Sequence, residues 1–344
     1  MLARSNRGNV GRCIDLQEQY SLRNDGRQTS HMKNTIAIQL IRQVSYMLTW
    51  IVLSTGAGHA TAQTSLATGL GTDANSALLL EKYATLEKQL GKNSFGRPLV
   101  LESLEEAASV TGNAYAVLDA SFATVSTTFR GPTHWCEVMI LHMNTKYCRA
   151  ASDITPTTLM INIGKKTPQE PEDAFALEFA MREVTATTRY LSVQLNAKTG
   201  PLGTNNYRIE LEAAPLPSGK TFIHLRYAYS YSVAGRLAMQ GYLATVGSGK
   251  VGFSHLNGDP NQGYVGGVRG TVERNTVRYY LAIEAYLVSL NRPPVEQLDA
   301  RLAHWFDATE QFPQQLHEMD RDSYLSMKRA EYSRQLRTPR GPAS

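Results

Sequence analysis

Apolar and polar positions alternate strictly through several stretches in the second half of the chain. Phe175, Leu177, Phe179 and Met181 alternate within 175–185, Leu191, Val193 and Leu195 within 190–197, and Tyr207, Ile209 and Leu211 within 207–213. Ile223, Leu225, Tyr227, Tyr229 and Tyr231 do so within 221–231. A period of two sends successive side chains to opposite faces, so each stretch predicts a strand of an antiparallel sheet covered on one side. Pro215-Leu216-Pro217-Ser218-Gly219, between the last two, has the turn chemistry of a hairpin. Further extended segments are predicted at 99–103, 112–118 and 158–163.

Helical spacing governs the remainder. Leu79, Tyr83, Leu86 and Leu90 form a stripe over 76–90, preceded by a Thr-, Gly- and Ser-rich stretch, 63–75, that reads as flexible. Short helices are predicted at 121–129, with Ser121 in the cap region, and at 135–141. A helix over 233–246 and a loop over 247–263 precede the strongest helical signal, 271–290. There Val272, Thr276, Tyr279, Ile283, Tyr286 and Leu290 share a face, with Glu273, Arg274, Arg278 and Glu284 mostly off it. Pro293 and Pro294 stop it, an amphipathic helix follows over 295–312, and a basic, polar tail is expected after Tyr324.

Charge changes the picture at one end only. The 344 residues carry 35 basic and 30 acidic side chains, but seven and three of these fall in 1–62. The body is therefore nearly neutral and has no electrostatic footprint for nucleic acid. From Met32 the sequence shows a charged start at Lys33, an apolar run from Val44 to Leu53, and the small-x-small triplet Ala60-Thr61-Ala62. These are the parts of a secretory signal peptide, although Arg42 interrupts the apolar region. The expectation is a leader over 1–62, with the signal peptide in 32–62, cleavage near Ala62, and a periplasmic product. Either Met1 or Met32 can be the start.

Three cysteines occur, at 13, 136 and 148, and removal of the leader leaves the last two. An even pair in an oxidising compartment is expected to form a disulfide, worth about 2–3 kcal/mol for so short a loop. A metal site using His134, His142, Cys136 and Cys148, and a pair of free thiols, are the alternatives; the spacing matches no zinc pattern. No metal and no cofactor are expected. Gly247-Ser248-Gly249-Lys250-Val251 lacks the leading Gly and the Ser/Thr of a phosphate loop. Gly266-Gly267-Val268-Arg269-Gly270 lacks the spacing of a dinucleotide fingerprint. No nucleophile elbow occurs in the body, and His134, His142, His224 and His255 are scattered, so no catalytic residue is assigned.

The order strand, two short helices, antiparallel strands, long helix resembles the START/polyketide-cyclase-like (SRPBCC, helix-grip) superfamily. The resemblance is carried by 114–125 (AYAVLDASFATV), by 207–216 (YRIELEAAPL) and by 221–225 (TFIHL). The chain also resembles a group of uncharacterised exported proteobacterial proteins. The resemblance covers 95–290, leaving 63–94 as a flexible N-terminus with a first helix and 291–344 as a helical extension with a basic tail. It departs from the superfamily in the additional helix and Gly-rich loop, 233–270, that precede the long helix. It implies an α+β fold in which a curved antiparallel sheet grips the long helix and encloses an apolar cavity for a hydrophobic small molecule or lipid. Tyr227, Tyr229 and Tyr231 are candidate lining residues, with rings apolar in body and polar at the tip. Arg208 and Arg226 could meet an anionic head group, and His142 and Asn144 could frame the mouth or merely pack the disulfide loop. The same residues also read as ordinary core tyrosines and a solvated sheet face. An enzyme of cyclase or hydrolase type in that cavity, and an envelope structural protein docking a partner on an exposed apolar face of the helix after Val295, remain open.

Export and the disulfide make one prediction together. Protein isolated from the cell envelope should begin near Gln63, and Cys136 and Cys148 should resist alkylation until reduced. Intact mass before and after alkylation checks both, and free thiols in the exported product would remove the disulfide.

Overall fold

The computed structural model describes residues 63–151, 157–245 and 249–337. The expected leader, its cleavage site and Cys13 lie outside the described residues, as do 338–344. In chain order the elements are α1 (Gln63–Gly91), β1 (Leu99–Glu105), β2 (Ser109–Leu118), α2 (Phe122–Phe129), α3 (Pro132–Met139), β3 (Thr145–Ala151), β4 (Thr158–Ile163), β5 (Phe175–Ala186), β6 (Leu191–Thr199), β7 (Thr204–Pro215), β8 (Thr221–Tyr231), α4 (Val233–Thr245), α5 (Gly267–Ser289), α6 (Gln297–Thr309), α7 (Pro313–Leu316) and α8 (Arg321–Arg337). The strands form one open antiparallel sheet in the order β1-β2-β8-β7-β6-β5-β4-β3, and α5 lies in its grip. This is the α+β helix-grip arrangement, with further helices after α5.

Local chemistry explains the element ends. The Ser121 side chain caps α2 by accepting from the Thr124 amide at 3.1 Å. The β7–β8 hairpin closes where Leu216 N–H donates to Lys220 O at 2.9 Å and Gly219 takes φ +79°, a backbone state that costs glycine least. Gly112 in β2 is needed for a different reason: a Cβ there would stand 2.2 Å from Thr276 Oγ1 of α5. That missing side chain is what lets the long helix lie against the strand.

Four expectations are corrected. The sheet is not covered on one side only. Leu79, Leu86 and Leu90 of α1 join Tyr115, Tyr190, Ala214, Leu216 and Phe222 in a second apolar cluster on the outer face, and α1 already starts at Gln63. The apolar face of the helix after Val295 is also not exposed: Leu302, Trp305 and Phe306 of α6 are buried, and Trp305 Nε1–H donates to Arg278 O at 3.1 Å. The "tail" after Tyr324 is the body of α8, where Tyr324 is fully buried and donates to Leu141 O at 2.8 Å.

The disulfide Cys136–Cys148 joins α3 to β3, with Cα atoms 5.2 Å apart. β3 carries Lys146, a fully buried lysine, and so lacks the alternation that would reveal a strand. Lys146 is matched from α8. Its ammonium donates to Met143 O, Thr167 O and Glu331 Oε1, each at 3.0 Å. Lys328, also fully buried, donates to His142 O at 3.0 Å, Thr145 O at 2.7 Å and Glu331 Oε2 at 2.5 Å. Two ammonium groups thus share one buried carboxylate, and each finds three oxygen acceptors. On the same strand Cys148 N–H donates to Gln335 Oε1 at 3.0 Å, so α8 side chains take backbone groups of an edge strand.

Burial pushes the Lys328 ammonium from its usual 10.5 down to about 8, against the pull of Glu331. A folded-state value below the unfolded one means that the unfolded chain binds more protons between about pH 8 and 10.5, so stability should rise with pH across that window. Lys146 is shifted in the same direction by burial. Urea midpoints measured from pH 7.5 upward should therefore climb until tyrosine ionisation in the unfolded chain, near pH 10, reverses the trend. Lys328→Met should flatten the rise. Glu331→Gln, which leaves two buried cations unpaired, should cost about 3–5 kcal/mol.

Candidate ligand-binding cavity

The period-two pattern of β8 puts Tyr227, Tyr229 and Tyr231 on one face of the sheet, all three buried. β7 adds Tyr207 and α5 adds Tyr279, one turn beyond Asn275. The rings form a continuous cluster: Tyr207 stacks on Tyr229 at 5.2 Å, Tyr227 lies 5.8 Å from Tyr229, and Tyr279 lies 5.3 Å from Tyr227. Between this cluster and α4 is a cavity of about 110 Å³. Tyr207, Tyr227, Tyr229, Thr271 and Asn275 line it from the sheet and α5, and Met239 and Leu243 close it from α4.

Burial raises the phenol of Tyr207 to about 12, and those of Tyr227, Tyr229 and Tyr279 higher still. All four are neutral hydroxyls at physiological pH. The cavity wall is thus aromatic, uncharged and able to donate or accept hydrogen bonds. Tyr207 pairs with Thr204 Oγ1 at 2.7 Å, fixing its tip at the turn 201–204. Gly203 of that turn touches α4 so closely that a Cβ on Gly235 would stand 2.7 Å from its carbonyl oxygen.

His142 sits one layer deeper. Its ring is 5.4 Å from that of Tyr279, and its Nδ1 accepts from Asn144 N–H at 3.2 Å. Nε2 has no hydrogen-bond partner among the described residues, although the Asn275 amide lies near enough to influence its titration. Burial, reinforced by Arg278 and Lys328, holds the imidazole well below its usual 6.5 and therefore neutral.

The other sequence candidates are not brought to this cavity. Arg208 and Arg226 precede or follow inward tyrosines by one residue, so they stand on the opposite face of the sheet. Arg226 pairs there with Glu210 at 3.4 Å. Tyr231 is turned to the rim, where its hydroxyl donates to Glu106 O at 3.0 Å. Asn144 closes the loop after α3 by donating to Gly164 O at 2.7 Å. Sequence reasoning missed Tyr207, Tyr279 and Asn275. The first two were legible as inward positions of β7 and α5; Asn275 precedes Tyr279 by four residues and so shares its helical face.

The remaining histidines do not converge with carboxylates in the cavity. His224 is the most connected, with Nδ1 2.8 Å from Glu212 and Nε2 2.9 Å from Asn113, and Tyr190 also donates to Glu212. This group lies on the outer face of the sheet beside α1. Among the described residues no group of three or more His, Cys, Asp or Glu is placed to hold a metal ion, and no helix is long and apolar enough to cross a membrane.

A neutral buried histidine has a consequence for acid stability. The unfolded chain takes up a proton near pH 6.5 that folded His142 resists, so stability should fall as pH drops through that value, before carboxylates begin to titrate. Denaturation midpoints between pH 7.5 and 5.5 check this, and His142→Gln should flatten the slope.

No protein-family model matches the sequence, and no curated protein matches it either. Among solved structures, human StAR-related lipid transfer protein 5 aligns at 11% identity and a TM-score of 0.31, over 64% of this chain and 99% of that one. Norcoclaurine synthase from Thalictrum flavum aligns at 14% identity and a TM-score of 0.29, over 43% of this chain and 82% of that one. A conserved Enterococcus faecalis protein of unknown function aligns at 8% identity and a TM-score of 0.28, over 68% and 91%. Likenesses this distant carry no inference about ligand or reaction.

Proposed function

We propose that this chain is an exported, periplasmic member of the START/polyketide-cyclase-like superfamily that binds a hydrophobic small molecule or lipid in the cavity between the tyrosine cluster and α4. The observation that carries the reading is the ring of neutral tyrosine hydroxyls around a cavity roofed by α4. Such a wall suits an apolar ligand with one uncharged polar group. Export is supported by the leader pattern and agrees with the Cys136–Cys148 disulfide, which belongs to an oxidising compartment.

Size sets the manner of binding. Ligand pockets are ordinarily about 300–1,000 Å³, whereas this cavity is about 110 Å³. Anything larger than a few heavy atoms requires α4 to swing away. The outer side of α4 leaves Val233 and Leu237 exposed, at 82% and 64%, and Leu202 at the cavity rim is 47% exposed. An apolar margin of this kind suits entry of an apolar ligand. An enzymatic reading draws support only from the unpartnered Nε2 of neutral His142, because no carboxylate lines the cavity.

Native mass spectrometry and organic extraction of the full chain purified from cell envelope test the proposal. A co-purifying hydrophobic molecule is expected. The cavity-filling Met239→Trp variant should lower its occupancy without loss of fold. A protein that arrives empty and takes up nothing from a panel of phospholipids, sterols and neutral aromatics would overturn it.

A further inference from the structure

A groove of about 1200 Å³ runs between the loop after β4 and α8. Thr167 and Pro168 border it on one side, Met319, Ser323 and Met327 on the other, and Lys166 stands in its wall. Ligand pockets are ordinarily about 300–1,000 Å³, so the groove has room for far more than a bare ion.

At Lys166 the charges do not balance. Glu318, with a side chain only 6% exposed, is one carboxylate facing three cations. Its Oε1 accepts from Arg278 at 2.8 Å, while Lys166 and Lys250 both approach Oε2, at 2.5 and 3.5 Å. Burial opposes its ionisation, but Arg278, Lys166 and Lys250 hold its carboxyl below the usual range, so it is anionic. The two lysines pair with no other carboxylate among the described residues. Lys250 also donates to His317 O at 2.5 Å. One turn before Arg278, buried Arg274 donates to the neutral acceptors Val251 O and Thr271 Oγ1, at 3.1 and 3.0 Å. The surplus is felt by its neighbours. Burial draws the Lys166 ammonium below its ordinary value even with Glu318 in contact, and Arg278 and Lys250 add to the effect. His142, already neutral through burial, is held so further by Arg278, Lys328 and Lys166.

The geometry points to a binding site for a phosphomonoester at this end of the groove, separate from the interior cavity and independent of what that cavity holds. Two ammonium nitrogens at 2.5 and 3.5 Å from one oxygen are at most 6.0 Å apart, a span that the oxygens of one phosphate can bridge. Both lysines keep an open side, at 27% and 25% exposure, and each has an N–H to spare. A phosphomonoester carries about −1.5 to −2 charges near neutral pH. Together with Glu318 it matches the three cations, which a singly charged carboxylate or phosphodiester does not. The rest of the ligand then lies along the groove past Met319 and Ser323. A phosphorylated small molecule and the head group of phosphatidic acid share this chemistry.

The test uses the full chain with inorganic phosphate, glycerol 3-phosphate, and phosphatidylcholine vesicles with and without phosphatidic acid. Phosphate should give saturable amide shifts confined to 164–169, 249–251 and 317–323, weakening as salt rises and not reproduced by chloride at matched ionic strength. Lys166→Gln and Lys250→Gln should each weaken binding about tenfold, the scale of one charge-assisted hydrogen bond. Their thermal midpoints in phosphate-free buffer should equal or exceed the parent's, because the remaining cations still hold Glu318. Tighter binding of glycerol 3-phosphate without sedimentation on vesicles identifies a soluble ligand. Sedimentation that requires both phosphatidic acid and Lys166 identifies a lipid head group. Shifts no different from those with chloride, shifts centred elsewhere, or indifference to both variants would each overturn the assignment.

Discussion

A helix enclosed on every side must find a partner for each polar group that it carries into the interior. α5 is such a helix. The sheet covers one side, α3, α4 and α6 pack against the others, and Glu273, Arg274 and Arg278 are as inaccessible as its leucines. Glu273 accepts from the Phe253 and Ser254 amides at 2.6 and 2.9 Å and from the Ser103 hydroxyl. Arg274 donates to Val251 O at 3.1 Å, and Arg278 reaches Glu318 at 2.8 Å. The Gly-rich loop before α5 and the segment after α6 are thus held by charges that would otherwise be stranded, and stranding one is among the costliest single faults in a core.

This explains which parts of the molecule could be read in the sequence. The strands from β5 to β8, the hairpin at 215–219 and the α2 cap follow from local periodicity and turn chemistry, and they fall where the pattern puts them. The polar positions of α5 mislead, because a helix wheel assigns Glu273 and Arg278 to solvent when their partners come from remote loops. β3 and α8 mislead for the same reason. Lys146 and Lys328 read as surface charges, and nothing local announces that Glu331 will sit between them. Where a charge is satisfied by groups that other elements bring to it, amphipathic pattern gives the opposite of the true burial.

The candidate site divides along the same line. Period two correctly grouped Tyr227 and Tyr229, since both lie on one strand and one face. It placed Arg208 and Arg226 on the other face, and the sheet now stands between them and the tyrosines. The convergence of Tyr207, Tyr279 and Asn275 depends on how β7, β8 and α5 come together in space. The helix α4, at 233–245, is also what closes the cavity.

The open sheet has two ends, and at one of them α8 stands in for a missing strand. Its side chains occupy Thr145 O and Cys148 N, backbone groups that a ninth strand would otherwise engage. The partners Lys328 and Thr145 are 183 residues apart. A chain delivered N-terminus first therefore presents all eight strands of the sheet before the segment that seals this border arrives. During that interval β3 offers an unpaired, hydrogen-bonding margin to any neighbouring chain. The last helix is accordingly a guard against self-association as much as an ornament of the core, and its timely arrival bears on how cleanly the protein matures.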